Sequence, residues 1–314
     1  MRFRSLKKIC PKKKKERLLI LFILCVVIAV YKILMGIVLP EMSDYGTPSY
    51  IFQRVLGVFL LSNILSNFVM CILVDSTIDP KRMKDQLERG RHSENWHKCD
   101  ECRIFAPPRS SHCDSCDVCV LKRDHHCILT GCCIGHANYR YFFYFMFYMF
   151  LGCLISIISS FIFIYALRGG RYKFSLLTLP AIILSKFSGH KDQDLPSIIL
   201  RAIDLSFPDK YEVVFAVTFA LLWIGICGSV YMICGHWSAI QKGAVCYEFK
   251  IKNFPFDRGL RRNLESFLGT RMKWTWISAF IPSPLPCDGF HWEPIETDEK
   301  DGGNRASEKT FKDI

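Results

Sequence analysis

Charge is missing from long stretches of this chain of 314 residues. Residues 55–74, 141–167 and 213–235 contain no Asp, Glu, Lys or Arg, and residues 18–39 contain only Lys32. A water-soluble helix or strand interrupts its apolar face with polar positions every few residues. These runs do not, and each is long enough for the roughly 20 residues that carry a helix across a bilayer core. A soluble globule is therefore excluded, and the chain reads as an α-helical polytopic membrane protein with transmembrane helices at 18–39, 55–74, 141–167 and 213–235. Also missing is a small-x-small cleavage site between the first run and Pro40, so that run is expected to be a retained span and not a signal peptide. Residues 174–184 are too short to cross and contain Pro180; they read as an interfacial or re-entrant piece. Lys32, alone in its span, is expected to snorkel to the interface.

Basic charge and cysteine are present in excess. Lys and Arg number 41 against 29 Asp and Glu, giving a net charge of +12. Nine of these basic residues precede residue 18, eleven lie between residues 74 and 141, twelve follow residue 235, and residues 40–50 have none. Cytoplasmic flanks carry such an excess, so the N-terminal segment 1–17, the segment 75–140 and the C-terminal region 236–314 are expected to face the cytosol. The loop 168–212, where seven basic residues are offset by five acids, is placed on the lumenal or extracellular side. Divided among three juxtamembrane segments, the charge forms no single face for nucleic acid, and the partner it implies is the lipid bilayer. The run Lys12, Lys13, Lys14 and Lys15 reads in the same way, as an anchor and not a nuclear signal. The tail from Glu293 onward is polar and charged and is expected to be disordered.

Of 16 cysteines, eight fall between Cys99 and Cys133. Disulfide scaffolds are short secreted chains, and this segment is assigned to the reducing side, so the crowding points to metal. The order is Cys99-x2-Cys102, then His112-Cys113-x2-Cys116-x2-Cys119, then Asp124-His125-His126-Cys127, then Cys132-Cys133. Interleaved Cys-x2-Cys pairs and histidines suit zinc; the spacing is not that of an iron–sulfur protein, and the pairs lie too close for a RING module. Two tetrahedral zinc ions take eight ligands, whereas eight Cys with His112, His125 and His126 offer eleven groups. Three of these groups remain for other work.

These residues resemble the DHHC protein S-acyltransferases, or palmitoyltransferases, over nearly all of residues 99–142. The resemblance rests on Pro108-x3-His112-Cys113, the Asp124-His125-His126-Cys127 tetrad, Cys133-Ile134-Gly135 and Asn138-x3-Phe142. It extends to Asp79-Pro80 and to Phe256-Asp257-Arg258-Gly259-x3-Asn263-Leu264. It implies a cytosolic Cys-rich domain binding two structural zinc ions, one held by Cys99, Cys102, His112 and Cys119, the other by Cys113, Cys116, His126 and Cys133. It leaves Cys127 as nucleophile, His125 as its base and Asp124 as the group that orients the histidine. The implied reaction moves a fatty acyl group, such as palmitoyl, from acyl-CoA through a Cys127 acyl-enzyme to cysteines of membrane-associated substrate proteins. A Golgi or endoplasmic reticulum membrane is expected before the plasma membrane.

Proximity of Cys127 to the span at 141–167 agrees with a nucleophile at the membrane surface. Lys122, Arg123 and Arg140 are the candidates to meet the phosphates of CoA, and Phe142 heads the aromatics expected at the mouth of an acyl cavity. Two departures mark a divergent branch. Ile128-Leu129 stands where most members have Pro-Trp, and Val245-Cys246-Tyr247-Glu248 replaces a Thr-Thr-x-Glu motif. If the lost hydroxyls anchor Asp124, the alternative is a zinc-folded membrane scaffold with little or no turnover. Cys132 could be a spectator, a ligand in place of Cys133 or a resolving thiol. Cys10, Cys246 and Cys287 flank membrane segments and could be acylated themselves.

Overall fold

The computed structural model describes residues 2–5, 9–90, 96–164 and 210–294. The expected re-entrant piece at 174–184, most of the 168–212 loop and the tail beyond 294 lie outside the described residues. Among the described residues, four helices are long and apolar enough to cross a membrane. The first, α1 (Lys14–Met42), includes a π-helical turn at Leu34–Val38, just before Pro40, whose missing N–H removes one α-helical hydrogen bond. Lys32 is exposed on its outer face. Helix α2 (Pro48–Leu73) starts on Thr47, whose Oγ1 accepts from the Tyr50 amide at 3.2 Å. Asp79 caps the short α3 (Pro80–Glu88) by accepting from the Lys81 amide at 3.0 Å, so the Asp79-Pro80 pair is a helix start.

Three antiparallel hairpins follow: β1 (His97–Cys99) with β2 (Ile104–Ala106), β3 (Ser111–Cys113) with β4 (Val118–Val120), and β5 (His125–Cys127) with β6 (Cys132–Ile134). The chain then re-enters the bundle as α4 (Tyr139–Ile162), and α5 (Lys210–Gln241) packs against it. Helices α6 (Cys246–Lys250), α7 (Leu260–Leu268) and α8 (Met272–Thr275) close the described chain. The main core joins α2 to α4 through Ile64, Phe68, Phe142, Phe145 and Tyr148, and it includes Cys127.

Strands of three residues bury too little to fold alone. Buried polar groups attach them to the helices. Asn138, fully buried, donates from Nδ2 to the carbonyls of Cys71 and Cys133, both at 3.0 Å, and accepts at Oδ1 from Gly135 N at 2.9 Å and Ser76 Oγ at 2.8 Å. All its capacity is used, so the end of α2, strand β6 and the start of α4 are held as one unit. Gly135 permits this approach, because a Cβ there would lie 2.7 Å from the Leu121 carbonyl.

The C-terminal segment is clamped by Arg109 and Glu248. The guanidinium donates to both carboxylate oxygens at 2.8 and 2.7 Å and to the Gly243 carbonyl at 2.7 Å, and lies 4.4 Å from the Phe256 ring centroid and 4.6 Å from that of Trp292. Asn263 closes the same region, donating to the Gln241 carbonyl and to Asp257, both at 2.8 Å. Arg109→Ala strips Glu248 of its partner in a nearly buried site; the expected cost is about 3–5 kcal/mol. It is read as a lowered thermal midpoint of the detergent-solubilised protein, with Glu248→Gln costing less.

Candidate active site and metal centres

The two ligand sets come together as two clusters, Cys99, Cys102, His112 and Cys119, and Cys113, Cys116, His126 and Cys133, with ligand atoms within 4.8 Å of one another in each. In the second, His126 Nδ1 lies 3.3 Å from Cys116 Sγ, 3.6 Å from Cys113 Sγ and 3.8 Å from Cys133 Sγ, and Cys116 Sγ is 3.7 Å from Cys133 Sγ. Tetrahedral bonds of about 2.3 Å to sulfur and about 2.0 Å to nitrogen require edges of roughly 3.8 Å between sulfurs and roughly 3.5 Å from sulfur to nitrogen. In the first set Cys102 Sγ stands 3.3 Å from His112 Nδ1. Two Cys3His sets of this size fit two zinc ions, and Cys133, not Cys132, completes the second.

A repeat explains the interleaving. Each ligand of the second set lies 14 residues after its counterpart in the first, and each hairpin closes a four-residue loop, with Cys99 opposite Ile104, Cys113 opposite Val118 and Cys127 opposite Cys132. The last loop position has positive φ in all three: Arg103 (54°), Asp117 (58°) and Gly131 (62°). At the next interval Cys127 falls where Cys99 and Cys113 stand, but Thr130 takes the place of Cys102 and Cys116. The following counterparts, Arg140 and Phe147, lie in α4. The third loop keeps only the first of the four ligand positions, so Cys127 stands outside both ligand sets.

Strand alternation sorts β5. His126 turns to the thiols of the second set, so its neighbours His125 and Cys127 share the opposite face. There His125 Nδ1 lies 2.7 Å from Asp124 Oδ2, and the buried Asp124 also accepts from the Cys246 amide at 2.9 Å and the Cys246 thiol at 3.0 Å. Burial would raise the Asp124 carboxyl, but the bond to His125, the His125 and His236 rings and Cys246 outweigh it and lower it to about 2. Burial likewise opposes charge on His125, yet the bond to Asp124 and the nearby Cys127 and Cys246 thiols push it up to about 12. At neutral pH Asp124 and His125 form an ion pair.

Two further residues border this pair. His236, from the end of α5, places Nδ1 3.6 Å from Asp124 Oδ2 and 2.8 Å from the Tyr139 hydroxyl. Phe142, fully buried, meets the rings of His125 and His236 edge-on, with centroids 5.1 and 5.0 Å away. His236 carries no signal in the sequence: a histidine in an apolar helix most often packs.

Several expectations change here. Cys246 does what the missing hydroxyls would do, since its thiol and amide hold Asp124; the thiol is engaged with the carboxylate. Lys122 is not placed for CoA phosphates. It is buried, donates to the Ser266 carbonyl at 3.1 Å and sits 3.3 Å over the Phe267 ring, and burial lowers its pKa well below the lysine range. Arg123 donates to Ser111 at 3.2 Å, and Arg140 is buried against Tyr141. Cys132 is buried, its thiol directed at Thr130 Oγ1 and the Cys71 carbonyl.

A metal-free cysteine beside an Asp-held histidine, at the foot of a membrane helix, is the equipment of an acyl-transferring thiol enzyme. A model of the DHHC palmitoyltransferase family matches residues 92–253, just over half of the chain. The chain belongs to that family. It is 33% identical over 240 residues to the probable palmitoyltransferase ZDHHC24 of Danio rerio, covering 75% of this chain and 73% of the relative. The Mus musculus protein of the same name is 30% identical over 255 residues, covering 81% and 82%. The probable protein S-acyltransferase 12 of Arabidopsis thaliana is 24% identical over 252 residues, covering 75% and 76%.

Two measurements test the geometry. Cys113→Ala removes a ligand of the second set only, so metal analysis should fall from two zinc ions per chain toward one. Cys246→Ala deletes the thiol donor to Asp124 and is expected to slow autoacylation by about tenfold, as for the loss of one hydrogen bond to a charged group; Cys246→Thr, which restores a donor, should recover most of the rate.

Proposed function

We propose that this protein S-acyltransferase works through an acyl-enzyme on Cys127, with acyl-CoA, palmitoyl-CoA among them, as donor and cysteines of membrane-associated proteins as acceptors. The observation that carries the reading is the 2.7 Å bond between Asp124 and His125, on the strand face that also bears Cys127. Cys127 attacks the thioester carbonyl as the thiolate, with His125 protonated beside it. The new S–C bond forms, the bond to the CoA sulfur breaks, and His125 hands its proton to the departing thiolate. In the second half-reaction neutral His125 takes the proton of the incoming protein thiol, that sulfur takes the acyl group, and Cys127 leaves as the thiolate. Asp124 holds the ring in one tautomer and stabilises its charge; Cys246 and His236 hold Asp124. The zinc ions, when bound, fix the hairpins and take no part in these steps.

The membrane bundle supplies the place for the acyl tail. A cavity of about 150 Å³ lies among all four spans, lined by Val30 and Met35 of α1, Leu60 and Ile64 of α2, Gly152 and Ser156 of α4, and Leu221 and Gly225 of α5. Ser156 is 14 residues along α4 from Phe142, or about 21 Å at 1.5 Å per residue, so a chain entering beside Phe142 runs down the helix to reach it. Both termini and the zinc hairpins face the cytosol, on the distribution of Lys and Arg, and the membrane is that of the Golgi or endoplasmic reticulum. Cys10, exposed beside α1, is the flanking cysteine most open to acylation in its own right.

Cys127→Ser is expected to abolish hydroxylamine-sensitive labelling by acyl-CoA while both zinc ions stay bound. An unlabelled wild-type protein would favour the scaffold reading. Asp124→Asn leaves His125 without its counter-charge, and the acylation rate should fall by roughly 10³-fold or more.

A further inference from the structure

Glu16 is the single acid in the first 17 residues, among nine Lys and Arg, and it is buried, with 6% of its surface exposed. A carboxylate in that position needs a partner. Its Oε1 lies 3.2 Å from His126 Nε2, while Lys13 is 4.0 Å away. His126 presents its other nitrogen, Nδ1, to the three thiols of the second metal set. The segment around Glu16 lies on the same two hairpins. Lys12 meets Asp117 at 3.3 Å, Lys13 meets Ser115 at 2.8 Å, and Pro11 packs on the Gly131 turn so closely that a Cβ there would stand 2.2 Å from its ring.

We propose that Glu16 is an outer-sphere carboxylate of the second zinc site, a positioning residue that accepts a hydrogen bond from His126 Nε2–H and fixes the imidazole with Nδ1 toward the metal. The bond selects the tautomer, orients the ring and makes it a stronger ligand. It also joins the N-terminal end of the first span to β5, the strand that carries His125 and Cys127 on either side of His126. Among the described residues the first metal set has no buried carboxylate in the equivalent place. His112 Nε2 faces Asp114 at 3.7 Å, and that carboxylate is fully exposed to solvent. The two sites should therefore differ in how far an outer carboxylate holds the metal.

The test uses full-length protein in detergent and follows zinc transfer to a chromogenic chelator. Glu16→Leu is expected to speed release of one of the two ions by about 10–100-fold and leave the other unchanged; Glu16→Gln, which keeps a carbonyl acceptor, should fall between. Lys12→Ala, which breaks only the exposed contact to Asp117, should leave both rates at the wild-type value. Unchanged release in Glu16→Leu, equal acceleration of both ions, or the same effect from Lys12→Ala would overturn the assignment. If Glu16→Leu does not fold, cadmium-113 NMR of Glu16→Gln decides. One of two metal resonances should shift, and no shift overturns the proposal. Failure to find two metals in the wild-type protein would contradict the zinc sites themselves and is thereby distinguished.

Discussion

Side chains on a β-strand alternate between two faces, and the centre of this protein depends on that constraint. In His125-His126-Cys127 the middle residue faces the second zinc set, so the outer two must face the other way, toward Asp124, Phe142 and the membrane bundle. A zinc ion held by the second set would bind the residue between His125 and Cys127 and fix their direction without touching them. A hydrophobic core could not do this in strands of three residues, since so little apolar surface is available to bury.

The rest of the molecule supports that one strand. From the membrane side, Asn138 ties β6 to the ends of α2 and α4. Cys246, at the start of a one-turn helix, meets Asp124 with its amide and thiol, and the Arg109–Glu248 pair holds that helix to the hairpins. At the other side Glu16 backs His126. The 14-residue period shows how such a site is composed: two hairpins keep the full knuckle pattern, and the third keeps its loop and first cysteine while the chain turns into α4 where further ligands would fall. Cys127 occupies a knuckle cysteine's place outside both ligand sets, two residues from a histidine whose direction the second set fixes.

Much of this is legible in the sequence, for physical reasons. Uninterrupted apolar runs have few solutions other than membrane helices, and eleven ligand-type residues in so short a loop must leave a surplus once two tetrahedra are filled. Asp124, His125 and Cys127 followed from the resemblance and that surplus. Contacts between distant segments were not legible. Nothing about Glu16 in a basic run, or His236 in an apolar helix, marks either as a neighbour of the tetrad. Lys122 looked like a surface cation because Lys usually is one, yet it is buried over Phe267. Loss of Thr-Thr suggested a weakened triad, whereas a thiol donates to the same carboxylate.

Everything proposed for this enzyme turns on whether the acyl group rests on Cys127 between donor and acceptor. Brief incubation of the purified protein with palmitoyl-CoA, acid quench and peptide mass spectrometry measure this directly, because every other cysteine is scored in the same experiment. The account predicts a thioester on the peptide carrying Cys127, formed within the first turnover and discharged when an acceptor protein is added. A thioester that forms only on Cys132, Cys246 or another cysteine, or one on Cys127 that an acceptor cannot discharge, would contradict it.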